Sequence, residues 1–418
     1  VRGPPLLFLT QRIPYPPDKG EKIRFFRVLE HFAASHSVHL GCLVDDQADW
    51  AHTERLRALC ADAHFAPLDR RVARVACLRG LLTGAPLSAV YFRNRGLADW
   101  VAGVLDRVRP ATIVVCSSNM APYVLDRPEA AGANRIVDLT DVDSEKWRAY
   151  AERARGPMRW LYRREWQRMA ALERAIGAAC DACTFVSESE AALYRRVAPA
   201  ARARVRAVAN GVDCAYFDPA LDHARPFDDT AANFVFTGTM DYPPNEDAAV
   251  WFARDILPAI RRAVPGARFH VVGANPSPPV RALSTIEGVS VTGRVPDVRP
   301  YVAHATACVA PLRIARGIQN KVLEAMAMAR PVIVTPGALE GIDAAPGREL
   351  LLAADAEAFA GAAADVALGR APAGIGAAAR ARVLADYGWD ARMRGFDRLF
   401  EPAAPPQAPA AREPEIAR

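Results

Sequence analysis

The chain reads as a doubly wound α/β protein in two similar halves, and three observations carry that reading. Short apolar runs alternate with helical stretches along nearly the whole sequence. The alternation halts once, in a Pro-, Asp- and Ala-rich stretch at 217–233, and then restarts. The length, 418 residues with 51% hydrophobic and 24% charged side chains, supplies packed cores for two domains of ordinary size.

The first half opens on the apolar run 6–10, a buried strand, followed by a proline-rich loop to Gly20 and a helical pattern from 21 to about 34. Further β-like runs follow at 38–44, 113–116, 135–139, 183–186 and 205–208, with helical segments between most of them. After the linker the second half places strands at 234–237, 268–272, 289–292, 307–310 and 332–335, and helices at 248–262 and 321–328. Strand and helix in alternation imply parallel sheets covered on both faces. A last helix is expected at 389–400. The remainder, EPAAPPQAPAAREPEIAR, is Pro/Ala-rich and expected to be disordered. The expected organisation is therefore a first domain at 1–216, a linker at 217–233, a second domain at 234–386, a helix at 387–401 and a tail at 402–418.

Composition narrows the function. The 53 basic and 47 acidic residues give a formal charge of +6 and a pI near 9.0, too mild for a dedicated nucleic-acid binder. No nucleic-acid partner is expected. The eight cysteines are scattered in apolar runs, and Cys180-x-x-Cys183 has no second pair or nearby histidine to complete a zinc site. A reducing compartment fits them, so the expected location is cytoplasmic. No run approaches the ~20 apolar residues of a membrane span, and the stretch 6–9 is shorter than a leader's apolar region.

The most informative segment is APLRIARGIQNKVLEAMAMARP at 310–331. A strand ends there in a basic, glycine-containing loop that opens a helix carrying Lys321 and Glu324. Helix N-terminal N–H groups favour phosphate, Gly317 lets the backbone approach closely, and Arg313, Arg316 and Lys321 add charge. A glutamate one turn into such a helix can accept hydrogen bonds from a ribose diol. The same residues also read as a solvated loop with an ordinary surface glutamate.

Here the sequence resembles the family 4 glycosyltransferases of the GT-B fold. Glu324-Ala-Met-Ala327 followed by Arg330-Pro-Val332 matches the second half of their signature. Asn210-Gly-Val-Asp213, Phe236-Thr-Gly238 and Val291-Thr-Gly-Arg-Val295 match further motifs in the right order. More narrowly, TQRIPYPPDKGEKIRFF, DLTDVDSEKW and TGTMDYPPNEDA resemble the sugar transferases associated with exosortase/PEP-CTERM exopolysaccharide loci. The resemblance implies two facing Rossmann-like doubly wound domains with a C-terminal helix. Two departures stand out: Arg316 occupies the place of the first signature glutamate, and Thr239, Met240 and Asp241 stand where an arginine and a lysine are usual. The diphosphate role accordingly falls to Arg294, Arg313, Arg316 and Lys321, with Gly238, Gly317, Gln319 and Asn320 beside them and Glu324 on the ribose.

In the first half, Lys19 and Gly20 stand where the family's glycine loop approaches donor phosphates and acceptor. Asp138, Asp141 and Asp143 follow the strand that in the family leads to a catalytic-site histidine. Asp141 and Asp143 are the expected catalytic carboxylates, placing or deprotonating an acceptor hydroxyl, unless they cap the helix that follows. Asp141-Val-Asp143 also spells D-x-D, the metal motif of the other large glycosyltransferase fold, a short match given little weight. Residues 147–174 mix Trp147, Trp160 and Trp166 with eight arginines, which suits a membrane interface or an arginine-rich helix pair with buried tryptophans.

The resulting expectation is a retaining, metal-independent glycosyltransferase of exopolysaccharide biosynthesis, chemistry in the cleft, with no cofactor beyond a nucleotide diphosphate sugar as co-substrate. Its acceptor is lipid-linked or another saccharide, and its location the cytoplasmic face of the inner membrane as a peripheral protein. A nucleotide-sugar epimerase on the same fold and a degenerate scaffold subunit remain open alternatives.

Overall fold

The computed structural model describes residues 3–17, 20–227, 231–313 and 318–400. The chain forms two compact units, Val1–Ala209 with the segment from Met393 onward, and Asn210–Arg392. The stretch 217–233 falls within the second unit, where Val212 and Phe217 are buried in its core.

The first unit holds strands β1 (Pro5–Thr10), β2 (Ser37–Val44), β3 (Asp62–Pro67), β4 (Thr112–Cys116), β5 (Asn134–Thr140), β6 (Ala182–Phe185) and β7 (Arg204–Ala207). They form one sheet in the order β3-β2-β1-β4-β5-β6-β7, every pair parallel. Leu6, Leu7, Phe8 and Leu9 are all buried, as a central parallel strand with helices on both faces requires. The sequence reading missed β3, whose ends are Asp62 and Pro67 and whose only run of consecutive buried residues is Phe65–Ala66.

The second unit holds β8 (Asn233–Thr237), β9 (Arg268–Val272), β10 (Val289–Gly293), β11 (Ala307–Ala310), β12 (Val332–Val334) and β13 (Leu351–Leu352), ordered β10-β9-β8-β11-β12-β13 and also parallel throughout. The two-residue β13 carries too little pattern to be seen in sequence. The helix expected at 248–262 starts earlier, at Pro243. It runs as an α-helix to Trp251, through a π-turn at Phe252–Ile256, and on as Leu257–Ala263.

In each sheet the winding direction reverses once, between β1 and β4 and between β8 and β11. Loops leaving the carboxyl ends of strands on either side of such a reversal diverge to opposite faces and leave a crevice, the usual place for a ligand in doubly wound folds. The helix Trp389–Asp397 carries the chain from the second unit back to the first. There Phe396 is buried against Phe32, and the Leu399 carbonyl accepts hydrogen bonds from Arg204 and Asn134.

Candidate functional site

In the second unit the loops after β8 and β11 flank the reversal. Gly238 leaves β8, and the helix Asn320–Ala327 follows the loop after β11. That helix buries Val322, Leu323, Ala325 and Met326 on one side, which leaves Lys321 and Glu324, three residues apart, together on the other. Gly238 packs so closely that a Cβ there would lie 3.1 Å from the Lys321 Nζ and 2.7 Å from the Asn245 side-chain nitrogen. Lys321 donates to the Asn245 Oδ1 and sits 4.4 Å from the centroid of the Phe236 ring. The Asn245 Nδ2 in turn donates to the Thr239 carbonyl, 2.9 Å. The backbone at Gly238, the ammonium and Asn245 therefore form one fixed group.

Glu324 keeps partial solvent contact at its surface while protein surrounds its carboxyl. Burial pushes that carboxyl up to about 7, with Lys321 pulling the other way. Burial likewise pushes the Lys321 ammonium down to about 8, opposed by Glu324. No described side chain or backbone group hydrogen-bonds the Glu324 carboxylate. The helix thus presents a charge-ready acceptor and a cation side by side, the pairing that a ribose diol and a diphosphate need.

The other expected donor residues scatter. Arg294 is exposed just past β10, two strands away from the reversal. Arg313 is turned to Asp247, donating from both Nε and Nη2, with its guanidinium 5.2 Å from the centroid of the Trp251 ring. Gln319 is the N-cap residue of the helix and Asn320 its exposed first residue. Lys19, Arg316 and Gly317 lie outside the described residues, as does the tail at 402–418. Met240 is fully buried, and Asp241 accepts from Asn275. Asn245 is a site residue the sequence reading did not single out, although it lies in the quoted TGTMDYPPNEDA.

One further contact fixes this crevice. A Cβ on Gly273, which follows β9, would fall 1.6 Å from the Gly238 carbonyl oxygen. Gly273→Ala is expected to push the Gly238 loop off Lys321 and to cost on the order of 3 kcal/mol in a chemical-denaturation midpoint. Stability within experimental error of wild type would refute that reading of the contact.

In the first unit the loops after β1, β4 and β5 converge. Ser117, just past β4, and Thr140, at the end of β5, are non-glycine residues with positive φ, 86° and 64°. Such strain persists only where neighbours impose it. Ser117 donates to the Gln11 Oε1 (2.9 Å), and the Gln11 Nε2 donates to Glu21 (2.7 Å), which also accepts from Arg12. Ser118 donates to Asp143, 2.8 Å. The Asn119 Oδ1 is buried with no partner among the described residues.

The three aspartates after β5 divide. Asp138 is fully buried and committed to the fold, taking Arg24 in two hydrogen bonds of 2.7 and 2.9 Å and the Thr184 hydroxyl at 2.8 Å. Neither Asp141 nor Asp143 caps the following helix, Asp143–Arg153. Its N-cap is Val142, whose N–H donates to Glu190, while the N–H of Ser144 donates to Glu173. Burial raises both aspartate carboxyls, Asp143 against the pull of Ser118, and Asp141 against that of Arg24 although part of the residue is open to solvent. The Asp141 N–H donates to the Leu139 carbonyl (2.8 Å), but its carboxylate has no hydrogen-bond partner among the described residues. Gly20 begins the helix Gly20–Ala33. Ser117, Ser118 and Asn119 were not legible as site residues, because a polar run after a strand looks like any loop. Among the described residues no group of three or more His, Cys, Asp or Glu side chains is arranged to hold a metal ion.

Two parallel doubly wound units in one chain define the GT-B class of fold. Residues 231–367 match the family model described as glycosyl transferases group 1, a match that supports a transferase. Solved structures similar to it over nearly the whole length include a sucrose-phosphate synthase from Thermosynechococcus elongatus. That match has 18% identity and a TM-score of 0.56, covering 95% of this chain and 98% of the other. Anabaena HepE in complex with UDP matches at 13% identity and a TM-score of 0.58, covering 94% and 98%. A glycosyltransferase from Rickettsia africae matches at 12% and 0.58, covering 96% and 98%. HepE is also known in complex with UDP-glucose. No curated protein matches the chain.

Proposed function

We propose that the protein transfers a sugar from a nucleoside diphosphate sugar to an acceptor hydroxyl, the second unit holding the donor. The observation that carries this is the Glu324 carboxylate, without a hydrogen-bond partner among the described residues, beside Lys321 at the sheet reversal, with Gly238 admitting backbone close to the ammonium. Glu324 accepts from the ribose hydroxyls. Lys321 and the N–H groups opening its helix offset the charge that develops on the departing diphosphate. In the first unit, Asp141 or Asp143, raised by burial, positions or deprotonates the acceptor hydroxyl.

A UDP-sugar is the first donor to try, since the similar HepE was crystallised with UDP and UDP-glucose. The motif resemblance supports retention of configuration without a metal. It also supports a lipid-linked saccharide acceptor on the cytoplasmic face of the membrane and a place in exopolysaccharide synthesis.

A thermal-shift panel of nucleoside diphosphates and their sugar conjugates tests the donor site. One nucleotide is expected to raise the midpoint by a few degrees, as about 2.7 kcal/mol at 100 times its dissociation constant implies, and Glu324→Ala to abolish the rise. No rise with any nucleotide would leave the chain as a scaffold subunit.

A further inference from the structure

We propose that the first unit docks on an anionic lipid surface through the helix Arg70–Gly80, the turn after it and the start of the helix Gly156–Ala179. The helix Arg70–Gly80 buries Ala73 and Gly80 on one side. On the opposite half Val72, Val75 and Leu78 are 66%, 56% and 66% exposed, and Leu82 in the following turn is 92% exposed. Apolar side chains spaced three apart on a helix share one face, so this is a stripe and not scattered exposure. Arg71 and Arg74 are interleaved with it and exposed.

A second element continues the same surface. The Arg164 guanidinium donates to the carbonyls of Gly80 (2.9 Å), Thr83 (2.8 Å) and Ala85 (3.3 Å), while Glu165 accepts from the N–H groups of Leu87 and Ser88. The turn bearing Leu82 is thereby fixed to the helix Gly156–Ala179. One turn before Arg164 on that helix stands Trp160, 63% exposed, with Met158 beside it at 45%. Arg155, Arg159 and Arg163 surround them, all exposed.

Charge chooses the occupant. No Asp or Glu occurs between Asp69 and Asp99, or between Glu152 and Glu165, although these stretches are rich in arginine. None of the side chains of Arg71, Arg74, Arg155, Arg159 or Arg163 pairs with a carboxylate among the described residues. A second copy would set this cationic face against itself. A bilayer with anionic headgroups supplies both the negative charge and an apolar layer for leucine, valine and tryptophan. No described helix is long and apolar enough to cross a membrane, so the contact lies in the interfacial plane. This surface is independent of the donor site and stands or falls separately from it.

Vesicle co-sedimentation of the full chain tests it. Wild type is expected to partition onto vesicles of phosphatidylglycerol and phosphatidylethanolamine, to leave them as salt rises from about 0.05 to about 0.5 M, and to bind phosphatidylcholine vesicles far more weakly. The triple variant Arg71→Glu, Arg74→Glu, Arg159→Glu is expected to lose on the order of 100-fold in partitioning, at about fivefold per cation. Leu78→Ser, Leu82→Ser and Trp160→Ser together are expected to reduce binding at high salt as well as low. All six sites are exposed, so the variants should keep the wild-type melting midpoint and nucleotide response. Equal binding to neutral and anionic vesicles, binding unchanged in both triple variants, or absence of binding would overturn the proposal. So would a dimer in sedimentation velocity that the serine variant dissociates while wild type ignores vesicles.

Discussion

Affinity for a nucleoside diphosphate sugar is expected to peak between about pH 7 and about pH 8 and to fall on both sides. The limits are the Glu324 carboxyl, pushed up to about 7, and the Lys321 ammonium, pushed down to about 8. Below the lower limit Glu324 takes up a proton and loses its capacity as a pure acceptor for the ribose. Each further pH unit then costs up to about tenfold. Above the upper limit Lys321 loses its charge and with it the attraction for the diphosphate. A sugar conjugate is the right probe because its diphosphate is esterified at both ends and does not titrate in this range. Glu324→Gln should flatten the acidic limb and weaken binding on the order of 100-fold, the usual scale for two hydrogen bonds to a charged group. Lys321→Met should flatten the alkaline limb. Titration calorimetry across pH 5.5–9 would read both, and a wild-type profile indistinguishable from that of Glu324→Gln would sink the assignment. Linkage also runs through stability. A carboxyl raised in the folded state means that the folded protein holds the proton more tightly. Glu324 therefore makes the free protein less stable as pH rises from the unfolded value near 4.5 through about 7.

Asp138→Ala is expected to destabilise the first unit by about 3–5 kcal/mol, because it removes the opposite charge from a guanidinium that is itself 1% exposed. Arg24 would lose both of its hydrogen bonds to the carboxylate while still donating to the Val208 carbonyl (2.8 Å) and lying 5.8 Å from the Phe396 ring centroid, and Thr184 would lose its acceptor. The paired replacement Arg24→Met with Asp138→Leu should recover most of the loss, since an apolar pair of similar volume needs no compensation for buried charge. Urea denaturation of the three proteins decides the matter. If Asp138→Ala melts like wild type, the bidentate pair is not what holds β5 to the helix Gly20–Ala33.

Asp138 also shows where reading from sequence stops. It stands three residues before Asp141 in a run where all three aspartates look alike, and its partner Arg24 is 114 residues away. No local pattern can say which carboxylate a distant arginine will consume. Nor could a pattern show that Glu190 and Glu173 would serve the helix N-terminus and leave the Asp141 carboxylate without a hydrogen-bond partner among the described residues. The sheet strands were legible because parallel strands buried on both faces must be apolar almost throughout, as in Leu6–Leu9, and the two that were missed lack such a run. Glu324 was legible because its helix is short and local: Lys321 and Glu324 share a face by spacing alone, and the apolar residues between them fix which face. Asn245 was not, since its role depends on a lysine 76 residues further on.

The helix Trp389–Asp397 has a consequence for how the molecule comes to exist. Met393, Phe396 and Leu399 are buried in the unit whose other residues end at Ala209. On the ribosome, the N-terminal unit is made first yet lacks part of its interior until the entire 210–392 unit has been synthesised. Domains usually fold in the order of their emergence. Here the second unit to emerge can be complete while the first still waits, with Phe32 uncovered on the side where Phe396 will pack. A fragment ending at residue 209 would be permanently in that state, so separate expression of the first unit requires a permuted chain that restores residues 393–400.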